Sequence, residues 1–145
     1  VPDLETLIQS SHDNAGDALK AVFDAPGRRL SGDQIHELFG NTRLWAMATV
    51  GRKGQPHIAP VHLRLTEQGE IELTIQTESV RMRDIQREPK VAFTSWSGDG
   101  KTAILYGIAE PVPGTEREST AGGRSKPVMT VRVTPTKLYA MGVTR

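Results

Sequence analysis

Apolar residues recur along this chain with two periods, and the change from one to the other divides it. Over residues 3 to about 25, Leu4, Leu7, Ile8, Ser11, Ala15, Ala18, Leu19 and Val22 keep the three-four spacing that lines up one face of a helix. Asp3 is placed to cap the start of this run and Pro26-Gly27 to stop it. Asn14 and Gly16 weaken its middle, so it reads as one kinked helix or two shorter ones. A second helix, over about 32–39, is better signposted. Ser31 and Gln34 form an S-x-x-Q capping box, Ile35, Leu38 and Phe39 share a face, and Gly40 closes it.

From residue 43 the period becomes two. Leu44, Ala46, Ala48 and Val50 alternate with Trp45, Met47 and Thr49, and Gly51-Arg52-Lys53-Gly54 is turn chemistry. Strands over 56–65 and 70–77 follow, joined by Thr66-Glu67-Gln68-Gly69, so the first three strands read as an antiparallel meander. Ser79 caps a helix through residue 87, which Pro89 ends. Strands over 91–97 and 102–112 make a hairpin about Ser97-Gly98-Asp99-Gly100. Residues 113–126, rich in Pro, Gly, Ser and Thr, read as a mobile loop. A last strand covers 128–133, and 135–141 is a short terminal strand or a turn. Antiparallel strands of this number and length curl into a small barrel because closure removes exposed edges. The predicted fold is therefore mainly β with helices: a helical extension over 1–40 and a barrel over 41–145. The helix between the third and fourth strands covers one mouth of the barrel.

Composition narrows the function classes. The 145 residues, 37% hydrophobic and 24% charged, suffice for one core and describe a globular chain. Lysine and arginine number 18 against 17 acidic residues, a balance that gives no reason to expect nucleic acid or an anionic membrane as partner. The chain has no cysteine, which removes thiolate catalysis, disulfides and cysteine-ligated metals together and suits a reducing cytoplasm. No apolar run is long enough to span a bilayer, and no secretory signal pattern opens the sequence.

The strongest chemical signal is the seam where the 70–77 strand runs into the following helix. Thr77, Ser79, Arg81 and Arg83 surround a helix N-terminus, where free N–H groups and the helix dipole favour an anion such as phosphate. The competing reading is a solvated basic helix, with Arg81, Arg83 and Arg87 paired to Glu78, Asp84 and Glu88. His57 and His62 lie five positions apart on one strand and point to opposite faces, so they share no metal ion. His12 and His36 have no acidic ligand pattern around them, and no metal site is predicted. P-loop, G-x-G-x-x-G, G-x-S-x-G and kinase signatures are all missing. Trp45 and Trp96 fall on strands and suit a core or a subunit interface.

The segments LWAMATVGRKGQPHIAPVHLRL, TESVRMRDIQREPKVAF, ILYGIAEPV and VRVTPTKLYAMG, in this order, resemble the pyridoxamine 5′-phosphate oxidase-like family of flavin-binding split barrels. The resemblance covers about residues 40–142. It implies a six-stranded split β-barrel and a homodimer binding FMN, or the deazaflavin F420, in clefts between subunits. By position it implies phosphate contacts at Thr77, Ser79, Arg81 and Arg83, and a ring laid against Pro60, Val61 and His62. Arg81 stands where the family usually has lysine, keeping the charge and adding a fork. The segment between the fifth and last strands carries no predicted helix, unlike many relatives, and the substrate-binding C-terminal pattern of true pyridoxamine phosphate oxidases is missing.

The expected function is thus an FMN- or F420-dependent oxidoreductase passing hydride to or from a small organic substrate. No catalytic residue is assigned, and His62 is the one candidate beside the implied ring to donate a proton. The alternatives are a cofactor-binding protein without turnover, acting as sensor, carrier or store, and a cofactor-free interaction domain.

Overall fold

The computed structural model describes residues 3–24, 27–40 and 43–142. The first apolar run is two helices, α1 (Leu4–Asp13) and α2 (Asp17–Phe23), parted at Asn14 and Gly16 where propensity is weakest. Asp3 caps α1, its carboxylate accepting from the Thr6 N–H at 3.2 Å. The stop assigned to Pro26 lies outside the described residues. In α3 (Gly32–Glu37) both halves of the capping box form: Ser31 Oγ accepts from the Gln34 N–H, and the Gln34 side chain accepts from the Ser31 N–H. Ile35, Leu38 and Phe39 are all buried, the last two in the turn that follows the helix.

The strands are β1 (Trp45–Val50), β2 (Pro56–Val61), β3 (Arg64–Leu65), β4 (Ile71–Gln76), β5 (Lys90–Trp96), β6 (Thr102–Pro111), β7 (Arg117–Ser119) and β8 (Lys126–Met141), with α4 (Val80–Arg87) between β4 and β5. They form one antiparallel sheet ordered β2-β1-β5-β6-β8-β4-β3, with β7 on β8. Its two end strands are successive pieces of one chain run. Three Cα steps separate Val61 from Arg64, a reach of roughly 11 Å at most. The sheet must therefore roll until its two edges nearly meet, and this is the split barrel.

Three expectations change here. The strand read over 56–65 breaks at His62 and Leu63, because its first part pairs with β1 and its second with β4. The segment read as a mobile loop contains β7, whose Arg117 donates to the hydroxyls of Thr130 at 3.2 Å and Thr74 at 3.0 Å. The last two stretches are one 16-residue strand. Its pairing with β6 slips between Tyr106 and Gly107, a bulge that lets Pro135 sit in the strand. A Cβ on Gly107 would lie 2.7 Å from the Thr134 carbonyl oxygen, so the close approach needs glycine.

Inward residues alternate along the strands: Trp45 and Met47, Ile71, Leu73 and Ile75, Val131 and Val133. Met82 and Ile85 of α4 join this core, as do Leu4 and Leu7 of α1, so the helices close the open side of the rolled sheet. Trp45 donates its indole N–H to the Leu38 carbonyl at 3.2 Å and stacks on Phe39. Trp96 lies on the outer face, 68% exposed.

Candidate functional site

The β4–α4 seam forms as its residues dictate. Ser79 takes an extended backbone and caps α4, its hydroxyl accepting from the Met82 N–H at 3.1 Å and donating to the Gln76 carbonyl at 2.8 Å. Thr77 donates its N–H to the Pro127 carbonyl at 3.0 Å, which ties the seam to the start of β8. The N–H groups of Val80 and Arg81 open the helix with no backbone partner among the described residues. Arg83 turns back to the Glu78 carbonyl at 2.9 Å. Arg81 is half-buried, and its guanidinium makes no hydrogen bond or ion pair among the described residues. The ion-pairing pattern of a solvated basic helix therefore holds for Arg87, which reaches Asp84 at 3.0 Å, and fails for Arg81. Thr77 also borders a groove of about 400 Å³ lined by Glu116, Arg117, Glu118 and Pro127, which Ser79, Arg81 and Arg83 do not line.

The candidate ring residues lie on edge strand β2 and just beyond it. Pro60 and His62 are exposed, while Val61 is buried. Pro60 also borders an apolar hollow of about 490 Å³ shared with Leu44, Ala46, Ile58 and Trp96. Three of those side chains are large, apolar and mostly exposed.

Between seam and strand lies a group that the sequence presented as an ordinary surface charge. Asp84 is buried, with 2% of its side chain exposed. One oxygen accepts from the Thr49 hydroxyl at 2.7 Å and from His57 Nδ1 at 2.6 Å, and the other from Arg87. Burial, the largest single influence, pushes the Asp84 carboxyl up. The hydrogen bonds from His57 and Thr49, with the charges of His57 and Arg87, outweigh burial and hold it below 3.8. Gly51 makes room for this arrangement, since a Cβ there would stand 2.5 Å from the His57 ring. One carboxylate thus locks α4 to β1 and β2, and so fixes the helix bearing Arg81 relative to the strand bearing Pro60. Parity along the strand already set His57 and His62 on opposite faces; that the His57 side meets a buried acid was not readable from it.

A rolled antiparallel sheet whose edges are joined by one chain run, with a helix seated in the opening, defines a split barrel. The family model for pyridoxamine 5′-phosphate oxidase matches residues 31–141, and the chain belongs to that family. The match begins at Ser31 and so takes in α3. No curated protein matches the sequence. Solved structures share the fold. A conserved hypothetical protein from Mycobacterium tuberculosis is similar at 21% identity and TM-score 0.65, over 81% of this chain and 88% of that one. A protein described as an F420 reductase is similar at 22% identity and TM-score 0.55, over 71% and 94%. An FAD-binding protein from Mesorhizobium loti is similar at 13% identity and TM-score 0.59, over 81% and 99%. Among the described residues no helix is long and apolar enough to cross a membrane.

Proposed function

We propose that the protein binds FMN, with F420 as the alternative, and passes hydride between that ring system and a small organic substrate. The observation that carries this reading is Arg81, half-buried and without a hydrogen bond or ion pair among the described residues, on the helix whose first two N–H groups have no backbone partner. Water meets such donors when no ligand is bound, and a phosphate monoester fits them in charge and shape. Thr77 and Arg83 flank the phosphate position, and Ser79 holds the helix start that creates it. Pro60, Val61 and His62 take the ring, His62 being the exposed side chain able to hydrogen-bond there. Family membership, and fold neighbours named for F420 and FAD, support a flavin-type ring. When bound, such a ring supplies the hydride chemistry, and the residues around it supply orientation and a water-poor cleft.

A second copy of the chain is the proposed cover for the hollow beside Pro60. Ile58 at 76% exposure and Trp96 at 68% make a patch of the kind that marks an interface. A homodimer through it would set the ring strand at the subunit boundary.

The test is an absorption spectrum of the purified protein, followed by titration with FMN and with F420. Binding of either, lost by about tenfold or more in the Arg81→Ala/Arg83→Ala double variant, supports the site. Unchanged affinity in that variant overturns the assignment. Binding without reduction of any acceptor would leave a carrier or sensor.

A further inference from the structure

The outer surface of the rolled sheet is divided by charge. On the side of β3, β4 and β8 it carries ion pairs. Arg132 meets Glu70 at 3.1 Å and Glu72 at 3.0 Å, and Arg64 meets Glu72 at 3.5 Å. The hollow beside Pro60 lies on the other side, over β2, β1 and β5, and no charged side chain among the described residues lines it. Its shape follows from the register. β1 runs between β2 and β5, with Ala46 paired to Pro60 on one flank and to Thr94 on the other. A small residue there leaves a trough, and the exposed side chains of Ile58 and Trp96 rise on its two sides.

The lining restricts what can enter. Trp45 already gives its indole N–H to the Leu38 carbonyl, so the Trp96 N–H is the one side-chain hydrogen-bonding group left at the hollow. It has no partner among the described residues. A carboxylate, phosphate or ammonium group would meet no counter-charge there and would lose water without replacement. A sugar or nucleotide would bring hydroxyls that the lining cannot match. The volume of about 490 Å³ falls within the range of small-molecule sites, about 300–1,000 Å³.

We propose that the hollow binds an uncharged, largely apolar organic molecule of one or two rings, and that this is the substrate class of the neighbouring ring site. Its apolar body fills the trough between Ile58 and the Trp96 ring, and one acceptor is all that the Trp96 N–H can serve. The inference rests on the ring position proposed above. Ile58 and Pro60 alternate outward on β2, so a molecule in the hollow lies next to a ring held at Pro60. A second copy laid over Ile58 and Trp96 roofs the trough and keeps water from it.

The experiment follows the Trp96 indole N–H by 1H–15N NMR, its signal identified by loss in Trp96→Phe, while acetophenone and 1-indanone are added to about 10 mM, a range that reveals weak small-ligand binding. Benzoate and benzylamine, rings of similar size that carry a charge, are the controls. The expected result is a saturable shift with at least one ketone and affinity about tenfold or more weaker for both controls. In Trp96→Ala, ketone affinity read by calorimetry should fall about tenfold, the loss of one aromatic contact. An indole signal unmoved by both ketones overturns the proposal. So does either control binding as tightly as the ketones, or ketone affinity unchanged in Trp96→Ala. Ketone binding requires no cofactor, so the two readings fail separately. Binding of FMN or F420 with no ketone shift removes this inference alone. A ketone shift with neither cofactor bound removes the oxidoreductase reading, and with it the role of the ketone as substrate.

Discussion

Two aspartate–histidine pairs stand among the described residues, and they are built in opposite senses. In the barrel the acid is inside and the base outside: 2% of the Asp84 side chain is exposed, against 39% for His57. In the helical layer the base is inside and the acid outside, with 6% for His12 and 30% for Asp24. The buried acid is met on both oxygens, by Thr49, His57 and Arg87. The buried base is met on one nitrogen only. A buried charge stabilises a fold when its hydrogen-bonding capacity is filled, and a half-filled polar group weakens it. The first pair therefore reads as a clamp that holds α4 against β1 and β2. The second leaves one buried ring nitrogen unpaired inside the helical layer.

The largest test of this contrast is Asp84→Ala. It strips the acceptor from a buried hydroxyl, opens a gap beneath α4 and frees the helix from two strands. Stability should fall by about 3–5 kcal/mol in urea unfolding, the range for breaking a buried pair from one side. A loss under about 1 kcal/mol would remove the clamp from this account.

Gly51→Ala should cost about 1–3 kcal/mol, since the added methyl group meets both the His57 ring and the Gln55 carbonyl. The same variant should displace the His57 ring signals in NMR, and an undisturbed ring would show that the packing there is loose.

Acid should act through Asp84 in a defined direction. Its folded pKa is depressed below 3.8, so its contribution is present above the unfolded carboxyl's value and is lost as pH falls through the lower folded one. Unfolding curves of the wild type and Asp84→Asn, compared over about pH 5 to 2, should converge as the pH drops. Parallel curves would mean that the charge of Asp84 contributes nothing.

The smallest effect is expected at the other pair. His12→Phe removes an orphaned nitrogen along with the bond to Asp24, and Asp24 regains water. These changes offset one another, so stability should stay within about 1 kcal/mol of wild type by thermal unfolding. A loss as large as that of Asp84→Ala would make the two pairs equivalent and erase the distinction drawn here.

Much of the fold was legible because its signals are local. The Asp3 cap, the Ser31–Gln34 box, the weak centre at Asn14 and Gly16, and the Ser79 start of α4 each depend on a few neighbouring residues. The structure reproduces each of them. Segment 113–126 was misread for the complementary reason. Its composition is that of a loop, but β7 forms because β8 offers a ladder and Thr74 and Thr130 receive Arg117. The break in the 56–65 strand is of the same kind, imposed by two different partners at its two ends.

Around the candidate site the same division holds. The hydroxyl and arginine pattern about a helix start pointed to the seam, and helix geometry supplies its free N–H groups. Which arginine stays unpaired was invisible, since pairing depends on where Asp84 goes, and a carboxylate at that helix position reads as a surface charge. By itself the sequence determined the elements, their caps and turns, and the alternation that makes one side of each strand apolar. The tertiary structure alone decided which side faces inward, which tryptophan is buried, and which acid and which histidine lose their water. Periodicity tells a side chain where its neighbours on the same element lie; burial depends on elements far away in the chain, which only the rolled sheet brings together.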